Sequence, residues 1–168
     1  KRQGRMKWNN FYPIYTNSTG LLIVGGKENE LEYPDNKRQA SRLKQRESYN
    51  EHIIKIEFDN TNNTFTSDTE LCKLKYSAEG SSGITIQEGS SEKLVVCGGM
   101  TGIHNWKKCY LYDFQDKTWE KLRDMNYTHC CAGICEWKER GDKIIVAAGY
   151  DYQQMIGYVD NRFVEEYD

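Results

Sequence analysis

Three short apolar runs punctuate a mostly polar chain: LLIVGG (21–26), LVVCGG (94–99) and IIVAAG (144–149). Each is aliphatic or β-branched at first and then closes in small residues. Runs this short, bounded by glycine, are too brief for typical helices. The Val, Ile, Tyr, Phe and Thr around them favour strands instead. The surroundings repeat as well. A strand pattern precedes each run across a polar turn, at YPIY (12–15), GITI (83–86) and GICEW (133–137). Beyond a loop comes another, at IIKIEFD (53–59), CYLYDF (109–114) and RFVEEYD (162–168). In the first two copies a further piece follows, TFTSDTEL (64–71) and TWEKL (118–122). The predicted unit is four short antiparallel strands joined by turns, a meander of about 50 residues.

The paired glycines Gly25 and Gly26, and Gly98 and Gly99, end the second strand of their units, as Gly149 does in the third. Glycine permits positive φ and close approach of another backbone, so these positions predict a bend in a crowded place. Ala148 stands where the other copies have the first glycine, which predicts a tighter or altered bend there. An aromatic pair, Tyr112 and Trp119, brackets a polar turn and is placed to meet across adjacent strands. Phe58 and Phe65 occupy the same places in the first copy. The third copy reaches Tyr167-Asp168, which aligns with Tyr112-Asp113; it is expected to be cut before its fourth strand.

The signature LVVCGG, then YLYDF, then TWEKL, with the Tyr112-to-Trp119 spacing, resembles the kelch repeat. The resemblance covers most of residues 11–168 and is best in the second copy. It implies an all-β, kelch-type β-propeller fragment built of four-stranded antiparallel blades. Two blades would be near-complete, at 11–74 with an inserted loop at 27–52, and at 83–122. A truncated one would occupy 131–168, lacking its last strand, and residues 1–10 would be an N-terminal tail. Family members usually carry an Arg or His shortly before a unit's first strand, and NYTHCCAG offers His129 there.

In such a meander the link between second and third strands leaves on the same face as the link to the next unit. The three second-to-third links, 27–52, 100–108 and 150–161, therefore share a face. Variable loops on a repeated scaffold are the usual place for recognition. The first carries Lys37, Arg38, Arg42, Lys44 and Arg46, a basic arm suited to an acidic partner or nucleic acid. A solvated insertion with Leu43 as its apolar anchor is the plainer reading of so long a loop. The second carries His104 and Trp106, and the third Tyr150 and Tyr152 with Tyr158. These are rigid amphipathic groups of the kind that anchor interfaces, or that pack back on the rim.

Composition adds limits. The 168 residues carry a net charge of −2, giving no reason to expect nucleic acid or an anionic membrane. No apolar run approaches the roughly 20 residues of a spanning helix. Residue 1 is Lys rather than Met, so the visible stretch says nothing of any segment before it. The six cysteines fall mostly in apolar strand patterns, which predicts reduced thiols in a cytoplasmic chain. Three sequons, at Asn17, Asn62 and Asn126, weigh slightly the other way.

Catalytic patterns are weak. His129, Cys130, Cys131 and Cys135 lack the spacing of a zinc site, and on a strand Cys131 and Cys135 would share a face with Gly133. GGMTG (98–102) lacks the helix that a phosphate loop needs. His52, His104 and Asp113 show no triad spacing. No metal, cofactor or catalytic residue is expected. The kelch resemblance implies a non-catalytic module that binds a protein or peptide, such as a ubiquitin-ligase substrate receptor or a cytoskeletal binder. The rivals are a fragment of a galactose-oxidase-like copper enzyme, and a propeller fragment with no autonomous function that self-associates through its open ends.

Overall fold

The computed structural model describes residues 8–9, 12–16, 20–30, 46–49, 51–59, 61–62, 64–67, 71–76, 78–102, 104–140, 143–153, 157–160 and 162–167. The first third of the chain supplies β1 (Trp8–Asn9), β2 (Tyr12–Thr16), β3 (Gly20–Val24), β4 (Lys27–Glu30), β5 (Arg46–Tyr49), β6 (His52–Asp59), β7 (Thr64–Ser67) and β8 (Cys72–Lys73). The middle third supplies β9 (Ser82–Glu88), β10 (Ser91–Cys97), β11 (Met100–Thr101), β12 (His104–Asn105), β13 (Cys109–Asp113) and β14 (Thr118–Lys121). The remainder supplies β15 (Gly133–Trp137), β16 (Lys143–Ala147), β17 (Tyr150–Gln153), β18 (Gly157–Asp160) and β19 (Val164–Tyr167). The chain is all-β; among the described residues the one helical element is a 3-10 turn at Lys138–Arg140.

Three antiparallel meanders carry the fold. Sheet I runs β2-β3-β6-β7 with β8 also on β6, sheet II runs β9-β10-β13-β14, and sheet III runs β15-β16-β19. Their strands coincide with the periodic pieces of the sequence. The tight third-to-fourth turn is explained by Asp113, whose Oδ1 accepts the backbone N–H groups of Gln115 at 2.8 Å and Asp116 at 3.1 Å. Those bonds, with Lys93 beside it, hold its carboxyl below the usual range. Lys117 closes the turn at φ +57°, and Tyr112 then faces Trp119 across the ladder. In sheet I the same hairpin sits two residues further along its strand. Phe58 pairs with Phe65, but Ile56, not Phe58, stands opposite Leu21 in the place where Tyr112 stands opposite Leu94. β6 is correspondingly long, and β8 pairs with the His52–Ile53 end of it.

The sheets stack. In sheet II the period of two sends Leu94, Val96 and Tyr112 to one side and Val95, Cys97 and Cys109 to the other. The first set meets Ile14, Leu22, Val24, Ile53 and Leu74 of the preceding part of the chain. The second meets Ile144, Val146 and Tyr167 of sheet III, with Met125 and Ala132. β9 lies beside both β2 and β15, close enough that a Cβ on Gly83 would sit 2.5 Å from Ile14 Cδ1. Both faces of sheet II are thus covered. Each outer sheet has one face without cover among the described residues: Tyr15 on sheet I is 72% exposed, and Val164 and Trp137 on sheet III are 67% and 39% exposed.

Of the 1–10 tail, Trp8 and Asn9 are described and form β1, which pairs with β4. Three expectations are corrected. The second-to-third links are not plain loops; each contains a two-stranded hairpin, β4–β5, β11–β12 and β17–β18. The cysteines are not all reduced. Cys97 and Cys109 stand directly opposite on β10 and β13 with Cα atoms 4.2 Å apart, and they form a disulfide. The cytoplasmic expectation rested on reduced thiols and loses that support; Cys72, Cys130, Cys131 and Cys135 form no disulfide. Cys131 is not on a strand with Cys135, since it precedes β15 at φ +54°.

The bend at Ala148 is also not altered. Gly25, Gly98 and Ala148 have φ +64°, +69° and +60°. An alanine in this left-handed region costs roughly 1–2 kcal/mol. Ala148→Gly is therefore expected to raise stability by about 1 kcal/mol, the gain being trimmed by glycine's greater freedom when unfolded. A higher denaturant midpoint with unchanged slope is the expected readout; an unchanged midpoint would contradict it.

Candidate interaction face

The bends at the second-strand ends exist because the connectors between sheets pass directly over them. Gly26 N donates to Ala78 O at 3.1 Å, and Glu79 pairs with Met100 in an isolated bridge. Gly99 N donates to His129 O at 2.7 Å, and Cys130 pairs with Tyr150. A Cβ on Gly99 would lie 2.9 Å from Glu79 O, and one on Gly149 2.4 Å from Cys130 O. Connectors and hairpins therefore share one edge of the stack, as the meander geometry requires.

Two hairpins on this edge are joined. β12 lies against β17, and Asn105 Nδ2 donates to Asp151 Oδ1. His104 is exposed in β12, opposite Thr101. Trp106 is half-buried; its Nε1–H donates to Thr101 Oγ1 at 3.0 Å and its backbone N–H to Gly99 O at 2.9 Å. The Lys108 ammonium lies 4.1 Å from the Trp106 ring centre and 5.8 Å from that of Tyr76. Trp106 is thus fastened to its own hairpin, with part of its ring still open. Tyr150 is half-buried at the root of β17, opposite Asp160, and Tyr152 stands opposite Tyr158. Arg46 lies in β5 opposite Glu30, while Lys37, Arg38, Arg42 and Lys44 lie outside the described residues. The structure therefore gathers His104, Trp106, Tyr150 and Tyr152 on two adjoining hairpins.

Sequence reasoning missed Tyr76. It is buried in the first connector and donates its hydroxyl to Gly98 O at 2.9 Å. Burial pushes the pKa of its hydroxyl well above the ordinary range. Its ring lies 6.0 Å from Trp106 and 5.6 Å from Tyr110, which meets Trp119 edge-on at 6.3 Å. An aromatic ladder thus runs from the hairpin to the outer strand of sheet II. Nothing periodic marks Tyr76 in KLKYSAEG, so no pattern could have found it. The Tyr112 and Trp119 rings are 4.9 Å apart, and burial, with Cys72 next, pushes the Tyr112 hydroxyl up to about 12. Tyr167 is buried beneath Arg123, whose guanidinium is 5.4 Å from the ring centre.

The second connector holds a buried polar network. His129 Nδ1 lies 2.8 Å from Ala148 O and Nε2 lies 3.2 Å from Glu165 Oε1. Glu165 also accepts the N–H of Asn126 at 2.6 Å and of Tyr127 at 2.7 Å. His129 is the histidine that the resemblance implied, and Glu165 was not singled out.

GGMTG leads into the β11–β12 hairpin. Asp113 sits at the third-to-fourth turn, the far end of its strand from the edge that carries His104. Among the described residues no three His, Cys, Asp or Glu side chains converge as a metal site would require. No family model matches the chain, and no curated protein matches it.

Proposed function

We propose that sheets I to III are consecutive blades of a kelch-type β-propeller, and that the chain is a non-catalytic module whose hairpin-bearing edge binds a protein or peptide. The observation that carries this reading is the junction of β11–β12 with β17–β18 through Asn105 and Asp151, which puts the hairpin carrying His104 and Trp106 against the one carrying Tyr150. A rigid, partly open aromatic flanked by exposed polar groups is the usual make-up of a binding hot spot. The kelch resemblance narrows the role to a ubiquitin-ligase substrate receptor or a cytoskeletal binder. Panning a peptide display library on the folded chain tests the binding face. Enriched peptides are expected to bind a His104→Ala, Trp106→Ala variant at least about tenfold more weakly. Equal binding by the wild type and by a variant of unchanged fold would remove this edge from the proposal.

A second reading is favoured by the uncovered faces of the outer sheets. Sheet I meets sheet II, and sheet II meets sheet III, through the same pair of opposite faces. The faces left uncovered are the other members of that pair, with Leu21 and Ile23 on sheet I and Ile145, Ala147 and Val164 on sheet III. A second copy of the chain supplies the matching face. Sedimentation is expected to show self-association that a Val164→Lys, Ile145→Lys variant abolishes. A monomer at all concentrations would end this reading.

A further inference from the structure

Cys130 and Cys131 lie on the second connector, just before β15. Cys130 is buried and Cys131 is exposed. Their sulfurs are 4.0 Å apart and rest over the same glycine. A Cβ on Gly80 would come within 2.5 Å of one sulfur and 2.9 Å of the other. The backbone here is held on both sides. Cys131 N donates to Gly80 O at 2.7 Å, Cys130 N donates to Tyr150 O at 3.1 Å, and Tyr150 N donates back to Cys130 O at 2.9 Å. Cys131 itself sits at φ +54°. The Tyr150 hydroxyl stands 3.4 Å from Cys131 Sγ.

The two thiols are thereby made unequal. The Cys130 S–H next to Cys131, together with the Tyr150 hydroxyl, holds the Cys131 thiol down and favours its thiolate over that of Cys130. The neighbouring thiolate and burial push Cys130 up. An accessible thiolate beside a sheltered thiol is the arrangement in which one sulfur attacks and the other resolves. We propose that Cys130–Cys131 is a redox-active vicinal dithiol whose co-reactant is a small-molecule disulfide.

The chemistry balances. The Cys131 thiolate attacks one sulfur of the disulfide RSSR, forming a protein–SR bond and expelling RS⁻. Cys130 gives its proton to that leaving group and attacks Cys131 Sγ. The second RS⁻ departs and takes up the proton from the original Cys131 thiol. Two protein thiols are oxidised to one disulfide, and RSSR is reduced to two RSH. The product joins residues whose Cα atoms are only about 3.8 Å apart across one peptide. That is shorter than the usual span of about 4.4–6.8 Å, so the bond is strained and readily reduced again. The device is reversible.

Oxidised glutathione is the probe. Intact-mass and peptide analysis of the wild type are expected to show loss of two hydrogens, with Cys130 linked to Cys131 and no retained glutathione. Cys130→Ser is expected to trap a stable glutathione adduct on Cys131. Within the wild type, Cys131 is expected to react at least about tenfold faster than the exposed Cys135, and Tyr150→Phe to slow it several-fold at pH 7. A stable adduct on wild-type Cys131, or equal rates at Cys131 and Cys135, overturns the proposal. The rate comparison needs no variant, so it holds even where Cys130→Ser fails to fold.

Discussion

Replacing His129 with alanine is expected to lower the stability of the chain by about 3–5 kcal/mol, the range for emptying a buried, ring-sized site. The His129 side chain is 1% exposed and that of Glu165 is 3% exposed. Glu165 sits where three donors converge: the Asn126 and Tyr127 N–H groups and His129 Nε2. The opposite ring nitrogen faces Ala148 O at 2.8 Å. One imidazole thus ties the second connector to the end of β16 and to β19. Alanine would leave a ring-sized cavity and deprive a buried carboxylate of a donor. Glu165→Gln tests the same network from its other side. Its amide can accept from the backbone, but its NH2 would face a donor. Denaturant unfolding of both singles and the double variant gives the coupling, expected to exceed about 1 kcal/mol. A loss below that for His129→Ala would show that the network contributes packing alone.

Gly98→Ala is expected to cost about 3 kcal/mol, the second largest effect, in two parts. The first is conformational: φ is +69°, where an L side chain costs roughly 1–2 kcal/mol. The second is steric. The new Cβ would lie 2.1 Å from His129 O, a backbone atom, with Met125 Cε at 3.3 Å. The connector would have to lift, pulling His129 from Glu165. Gly89→Ala separates the two parts, because it has φ +62° and nothing within 4 Å of its Cβ. Its expected cost is the conformational roughly 1–2 kcal/mol alone. Equal losses at both positions would show that the connector yields freely. Gly98→Ala and His129→Ala share that connector, so their losses are not expected to add.

The strands of all three meanders were legible because a strand's side chains alternate, and a half-buried strand writes that alternation into its residues. Leu94, Val96 and Tyr112 against Val95, Cys97 and Cys109 is such a case, although burial on both faces hid which side was which. Glycines at positive φ were legible for a related reason: the conformation nearly dictates the residue, and among the described residues only Lys117, Cys131 and Ala148 depart from it. His129 was visible through the kelch resemblance, but its carboxylate was not. Glu165 is one of two adjacent glutamates in FVEEYD, and nothing local tells which one is buried. It is Glu165 because Ile144 and Tyr167 pair across the ladder, which sets the register and turns that residue inward.

The hairpins β11–β12 and β17–β18 were read as loops, since two to four paired residues carry too little periodicity to register. The Cys97–Cys109 bond likewise needed the pairing of β10 with β13 to bring the two sulfurs opposite each other. By itself, then, the sequence determined what each strand is, where each bends and which link lies on which edge, because local conformation and alternation are set by neighbouring residues. Only the tertiary structure decided which cysteines bond, which glutamate is buried, and which aromatics share an edge. Those outcomes depend on ladder register and on connectors that pass over distant strand ends, and such contacts leave no local pattern.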